Sequence, residues 1–205
     1  MEFSFGKNWK KFSTNIKNNN IEESKNSLKE VFNLESLTGM SFLDIGSGSG
    51  LSSIAAAELG ASPIRAFDYD NDSVEATNLN FKKYVKNKDV SFKVTKNSVL
   101  DIDFLKSLPK FDIYYSWGVL HHTGSLHNSY ANLVNIIPSD SLLYIAIYND
   151  QGMKSKLWWI IKYLYNKNFI YKSLIIFAGY WYFVFLKSIY NFLLNKKTRR
   201  GMNLY

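Results

Sequence analysis

The chain has 205 residues and no cysteine, which excludes disulfides and thiolate metal sites and sets one domain, with room for an appendage, as the expectation. With 46% hydrophobic and 20% charged residues it can bury a substantial core. The net charge of +8 is uneven: residues 1–150 carry 15 basic and 17 acidic side chains, whereas residues 151–205 carry ten basic and none acidic, so the domain itself is not basic.

The N-terminus "MEFSFGKNWKK" lacks the basic-then-apolar order of a signal peptide, and a cytoplasmic chain is expected. Residues 1–39 read as an N-terminal helical segment. Ile21, Leu28, Val31 and Phe32 recur at helical spacing, and the helix is expected to run to about Leu37 before "TGM" breaks it. Phe5, Trp9 and Phe12 give this segment an aromatic edge, suited either to docking a helix on a sheet or to closing over a pocket as a lid.

From Met40 the pattern alternates. "SFLDI" is a short buried strand, followed by the alanine-rich helix "LSSIAAAELG", closed by Gly60. "PIRAFDY" is the second strand; "DNDSVEATNLNFKKYV" is a helix capped by Asp70 or Asn71. "VSFKVT" is the third strand, and "DIDFLKSL" a short helix with Asp101 as its cap. "FDIYYSW" is the fourth strand, "GSLHNSYANLVNII" a helix before Pro138, and "SLLYIAIYN" the fifth strand. Strands alternating with helices predict an α/β domain over residues 40–150, a doubly wound parallel sheet with right-handed crossovers.

After Asn149 the texture changes, and residues 151–205 read as a basic, aromatic helical extension. "KLWWIIKYLYNKNF" predicts a helix. Ser173–Leu186 holds no charge but, at 14 residues, falls short of the roughly 20 that cross a bilayer. Three readings stay open for it: a buried helix, an interfacial helix anchored by Lys172, Lys187 and "KKTRR", or a β-hairpin turning at Ala178-Gly179.

"FLDIGSGSG" joins a strand to a helix, the setting a nucleotide loop requires. Gly46, Gly48 and Gly50 follow a G-x-G-x-G spacing, and Asp44 precedes the first by two residues. A carboxylate there opposes a pyrophosphate and welcomes a cationic ligand, which disfavours a nicotinamide-dependent oxidoreductase and fits S-adenosylmethionine. Asp68 ends the second strand, where a carboxylate can accept both hydroxyls of a ribose. Ser98 and Val99 end the third strand, in place to meet an adenine edge and ring.

These motifs, with "FGKNW", "FDYDNDSV", "SVLD", "YSWGVLHHTG" and "IAIYNDQG" in this order, resemble class I S-adenosylmethionine-dependent methyltransferases, in particular a bacterial branch of small-molecule and quinone-type enzymes. The likeness runs from about Phe5 to Met202. It implies a Rossmann-like, mostly parallel sheet with helices on both faces. It implies S-adenosyl-L-methionine as cofactor, with contacts at Asp44, Gly46, Ser47, Gly48, Gly50, Asp68, Tyr69, Ser98, Val99, Ser116 and Trp117. Similar enzymes often carry a carboxylate where Ser98 stands. They also have seven strands, the last two an antiparallel hairpin, and further chain after "RGM". Only five strands are expected here, so the resemblance implies a shortened form without the terminal hairpin.

The fourth-strand loop "WGVLHHTG" holds His121 and His122, with His127 on the following helix as a bystander. With no cysteine partner, no H-x-x-x-H on a helix and no acidic cluster nearby, a metal site is not expected. Either His121 or His122 serves as a general base, or the pair is structural. Tyr148 and Asn149 are further candidates for the pocket. Similar enzymes that methylate amino groups of nucleobases carry an Asn/Asp-Pro-Pro-Tyr sequence where Ser116-Trp117-Gly118-Val119 stands, so a nucleic-acid acceptor is not expected. The expected reaction is methylation of an oxygen or carbon of a small-molecule acceptor. One alternative is a membrane-associated enzyme with a lipophilic acceptor, using residues 169–200. Another is a cofactor-binding module without catalysis. The sequence leaves the oligomeric state open.

Overall fold

The computed structural model describes residues 6–13, 15–149 and 151–193. Phe5, Asp150, "KKTRR" and "RGM" lie outside the described residues. The chain divides into two compact units, Met1–Tyr148 and Asn149–Tyr205.

The first unit is built on a five-stranded parallel sheet of β1 (Phe42–Ile45), β2 (Ile64–Asp68), β3 (Phe92–Lys96), β4 (Ile113–Trp117) and β5 (Leu142–Ala146), in the order β3-β2-β1-β4-β5. Every residue of β1 is buried, as a central parallel strand covered on both faces requires. Successive side chains on β1 point to opposite faces, and the core divides accordingly. Phe42 packs with Leu28, Leu37 and Ile54, whereas Leu43 and Ile45 pack with Phe67, Val99, Leu105 and Leu133.

The connecting helices are α3 (Leu51–Glu58), α4 (Asn71–Tyr84), α5 (Ile102–Ser107) and α6 (Leu126–Ile136). Their ends follow local capping chemistry. Gly60, at φ +95°, closes α3 through a paired motif in which Ala61 N–H donates to Ala56 O (2.9 Å) and Gly60 N–H to Ala57 O (3.0 Å). Asp70 caps α4 by accepting from Asp72 N–H (2.8 Å), and Asp101 caps α5 by accepting from Phe104 N–H (3.0 Å). His127 is exposed on α6.

The N-terminal segment departs from the expected single helix to Leu37. It forms α1 (Gly6–Ser13) and α2 (Asn18–Phe32). Lys17 adopts an extended conformation between them, and its N–H donates to the Asn20 side chain at 2.9 Å, which starts α2 afresh. Asn33 ends α2 five residues early by taking a left-handed conformation (φ +53°), so that Leu34 N–H donates back to Lys29 O at 3.1 Å. The sheet positions both helices: α2 packs on α3, and α1 on α4.

The second unit holds α7 (Met153–Lys167) and α8 (Phe169–Leu193), which pack on each other. Asn168 separates them: it is extended, and its Oδ1 accepts from Tyr171 N–H at 3.0 Å, capping α8. Two of the three readings of Ser173–Leu186 are corrected here. No hairpin forms at Ala178-Gly179, because the helix runs through both residues. Nor is the helix buried: Leu174, Phe177, Trp181 and Phe183 are each more than half exposed. The charge-free stretch also understates the helix, since Lys172 and Lys187 lie inside a 25-residue element.

Candidate cofactor site

In an open parallel sheet, ligands settle beyond the carboxyl ends of the strands, where neighbouring connections diverge to opposite faces. Here that point lies between β1 and β4. A cavity of about 560 Å³ opens there, walled by Gly46 after β1, Asp68 and Tyr69 after β2, Lys96 to Leu100 after β3, and Trp117 to Val119 with His122 after β4.

The glycine loop is fixed from both sides. Gly46 and Ser47 N–H groups donate to Phe67 O at 2.8 and 3.2 Å. A Cβ at Gly46 would stand 2.5 Å from the Val119 side chain, and the residue's φ of +75° already disfavours one. Gly48 N–H donates to Asp68 Oδ2 at 2.9 Å. Behind the loop, Thr77 Oγ1 lies 2.9 Å from Ser47 Oγ and donates to Gly48 O, while Asn80 donates to Ser49 O at 2.8 Å. Ser47 thus spends its hydroxyl on α4. Thr77 and Asn80 were missed by sequence reasoning; two buried polar residues three apart on a helix were the available signal.

Asp44 lies on the Phe42 face of β1, is 3% exposed, and accepts from Ser53 Oγ at 2.7 Å. Burial pushes its carboxyl up to about 6; the Ser53 hydrogen bond opposes this, and the nearby Asp68 charge adds to it. It sits behind the cavity wall, as do Ser47, Gly48, Gly50 and Ser116. Ser116 is fully buried and donates to Ile45 O at 3.4 Å, tying β4 to β1. Asp68 faces the cavity, accepts from Gly48 and Asp70 N–H groups, and is pushed above the usual carboxylate range by burial.

On the far wall, Trp117 is half exposed and belongs to an aromatic ladder with Tyr144, centroid to centroid 6.0 Å, and Tyr115, 6.5 Å. A 3₁₀ turn, Leu120–His122, is pinned by the fully buried Leu120. It separates the two histidines. His122 lines the cavity; His121 lies behind it, their rings 4.0 Å apart, with Tyr148 4.6 Å from His121. Both His121 ring nitrogens are shut from solvent without a hydrogen-bond partner, and burial lowers its pKa, so the ring is neutral at pH 7.

Trp9 of α1 covers the glycine loop: a Cβ on Gly48 would stand 3.0 Å from its ring, and Trp9 also lines the cavity. Lys96, Asn97, Leu100 and Thr123 line it as well and were not anticipated. The β2–β3 register, which sets Lys96 opposite Asp68, brings this cation to the site. A second cleft, about 420 Å³, lies between α2 and the end of α3; its Lys25 and Lys29 are already paired with Glu22 and Glu35 at 2.9 Å each.

The residues present fit S-adenosylmethionine. Two carboxylates held above their ordinary pKa, one buried beside a glycine loop, are stabilised by a cationic ligand and opposed by a phosphate.

Residues 22–107 match the family model of ribosomal protein L11 methyltransferase. Among curated relatives, the L11 methyltransferase of Macrococcus caseolyticus is 51% identical over 45 residues, 22% of this chain and 14% of that protein. The Bacillus cereus protein of the same name is 41% identical over 63 residues, 31% of this chain and 20% of that protein. The matched segments thus span a fifth or less of these relatives. Among solved structures, a provisionally assigned S-adenosyl-L-methionine-dependent methyltransferase of Methanococcus maripaludis aligns with a TM-score of 0.55 and 21% identity, covering 82% of this chain and 73% of that one. Magnesium protoporphyrin IX methyltransferase of Synechocystis, solved with bound S-adenosylhomocysteine, aligns with a TM-score of 0.53 and 17% identity, covering 72% and 63%. With this sheet order, this glycine loop and these likenesses, the first unit has the fold of the class I S-adenosylmethionine-dependent methyltransferases, and residues 22–107 are similar in sequence to one of their families.

Proposed function

We propose that the first unit is a methyltransferase that moves a methyl group from S-adenosylmethionine to an oxygen or carbon of a small-molecule acceptor on the cytoplasmic side. The observation that carries this reading is one cavity with an anionic glycine-loop wall, Asp68 backed by Asp44, and a histidine on the opposite wall. Bound there, S-adenosylmethionine supplies a methyl carbon activated by its sulfonium.

The chain's own residues do the rest. Asp68 would accept from the ribose hydroxyls, and Asp44 would supply negative charge behind the loop. Ser98 and Val99 would border the adenine, and Tyr69 and Trp9 flank the cavity and limit water. Positioning is the main contribution to an in-line displacement. An acceptor hydroxyl or acidic C–H must also lose a proton, and His122, on the wall opposite the carboxylates, takes it. His121, in tilted contact with His122 and Tyr148, holds the His122 ring in place.

The matched relatives are named for a ribosomal protein, but the match ends at residue 107, before the β4 loop on the acceptor side. The test is transfer of labelled methyl from S-adenosylmethionine to a panel of phenols, quinols and carboxylic acids, with ribosomal proteins alongside. Label in the small-molecule fraction is expected. Label confined to protein overturns the acceptor class; cofactor binding without any transfer overturns the reaction. Failure of S-adenosylhomocysteine to bind by calorimetry overturns the whole reading.

A further inference from the structure

We propose that the second unit is a membrane anchor: α8 inserts into a lipid bilayer that carries anionic headgroups. The span Phe169–Tyr190 covers 22 residues, and none of it is buried against protein. At 1.5 Å per residue it measures about 33 Å, enough to cross a hydrocarbon core of about 30 Å.

The apolar surface has no polar face opposite it. Leu174, Phe177 and Trp181 follow one side of the helix, while Ile176, Tyr180 and Phe183 follow another, and all six are more than half exposed. A helix lying flat on a membrane, or on a soluble domain, would be apolar on one side only; one apolar all round suits hydrocarbon. The two lysines support the same placement. Lys172 and Lys187 stand near the two ends of the span, about 22 Å apart along the axis, and their flexible stems carry the ammonium groups outward to headgroup level.

Charge selects the partner. From residue 151 onward there are ten Lys and Arg and no Asp or Glu. An anionic bilayer surface is complementary to that charge, whereas a second copy of the same unit is repelled by it. The α7 helix adds Trp158, Trp159 and Tyr163 among lysines, the composition of a membrane–water interface.

The test is flotation of the full chain on a density gradient. The vesicles are phosphatidylcholine alone, or phosphatidylcholine with about one third phosphatidylglycerol. The chain is expected to float with the anionic vesicles and to stay with them through high salt and alkaline carbonate. Sedimentation away from all vesicles overturns the proposal. So does release by salt, which marks adsorption by charge alone, or recovery as a vesicle-free oligomer. Phe177→Asp and Trp181→Asp, placed at the middle of α8, are each expected to lower the floated fraction at least about tenfold. Flotation equal to the parent overturns insertion. Affinity for S-adenosylhomocysteine, measured on the same variants, is expected to be unchanged; its loss in parent and variants alike bears on the methyltransferase reading and leaves the anchor standing.

Discussion

Asp44 is ionised at neutral pH only against its burial. Its carboxyl titrates at about 6 in the fold against 3.8 in an unfolded chain, so the native state binds the proton more tightly. The contribution of Asp44 to native stability is therefore greatest below pH 4, falls as the pH rises from 4 to 6, and is lower above that by up to about 3 kcal/mol. Asp44→Asn removes this term. Without cofactor, the variant is expected to melt above the parent at pH 8, with the gap narrowing toward pH 5, as scanning calorimetry checks. It should also bind S-adenosylmethionine about tenfold more weakly or worse, since the buried charge is gone. Cofactor binding to the parent below pH 6 should release protons, visible as a buffer-dependent heat. At the opposite wall the two histidines separate by role. His122→Ala is expected to lower kcat by about 100-fold or more with cofactor affinity kept, as single-turnover kinetics and calorimetry would read. His121→Ala removes a ring in tilted contact with two others and should cost about 1–2 kcal/mol of stability. His121→Phe, which keeps the ring contacts without buried unpaired nitrogens, should recover that loss, as denaturant melts would read.

Among the elements, α1 is the one whose loss should affect the ligand more than the fold. It reaches the site through Trp9 over Gly48 and is held by Gly6 N–H donating to Asp70 Oδ2 at 3.3 Å. Trp9 is 38% exposed, so Trp9→Ala should cost about 2–3 kcal/mol in melting experiments, short of unfolding the domain. It should, however, speed dissociation of S-adenosylhomocysteine several-fold in stopped flow, because the cover over the loop is gone. The elements also show where a sequence can be read and where it cannot. The alternation of strands and helices, the stop at Gly60 and the starts at Asp70 and Asp101 were legible because capping is settled by a residue and its near neighbours. The break at Lys17 was not, since it depends on the Asn20 side chain turning back within a run of asparagines that reads equally as helix or loop. The full length of α8 was hidden by Lys172 and Lys187, which resemble boundaries in sequence but are tolerated inside a helix. In the site, Asp68 and His122 could be placed from strand ends. Lys96 could not: only the β2–β3 register shows that it stands across from Asp68.

At the scale of the whole molecule, burial and charge divide at the same place in the chain. Every buried apolar residue among those described lies between Ile16 and Leu133, and the cavity's last wall residue is Tyr148. The first unit therefore contains its whole core, and its acidic and basic residues nearly balance. The second contributes no buried side chain among the described residues, and its charge is of one sign. A chain ended after Tyr148 keeps every buried apolar residue among those described, so it should unfold cooperatively, with a stability within about 1 kcal/mol of the parent. It should bind S-adenosylhomocysteine with unchanged affinity in calorimetry. Loss of either property would mean that residues after Tyr148 support the cofactor domain, contrary to the distribution of its core. In the first unit β5 is an edge of the sheet, with Leu142 and Leu143 39% and 36% exposed. A nearly neutral domain with an unprotected apolar edge strand tends to pair with its own copies. The truncated chain should therefore self-associate with rising concentration in analytical ultracentrifugation. Substituting Leu143→Lys on that edge should suppress the association while leaving cofactor binding intact.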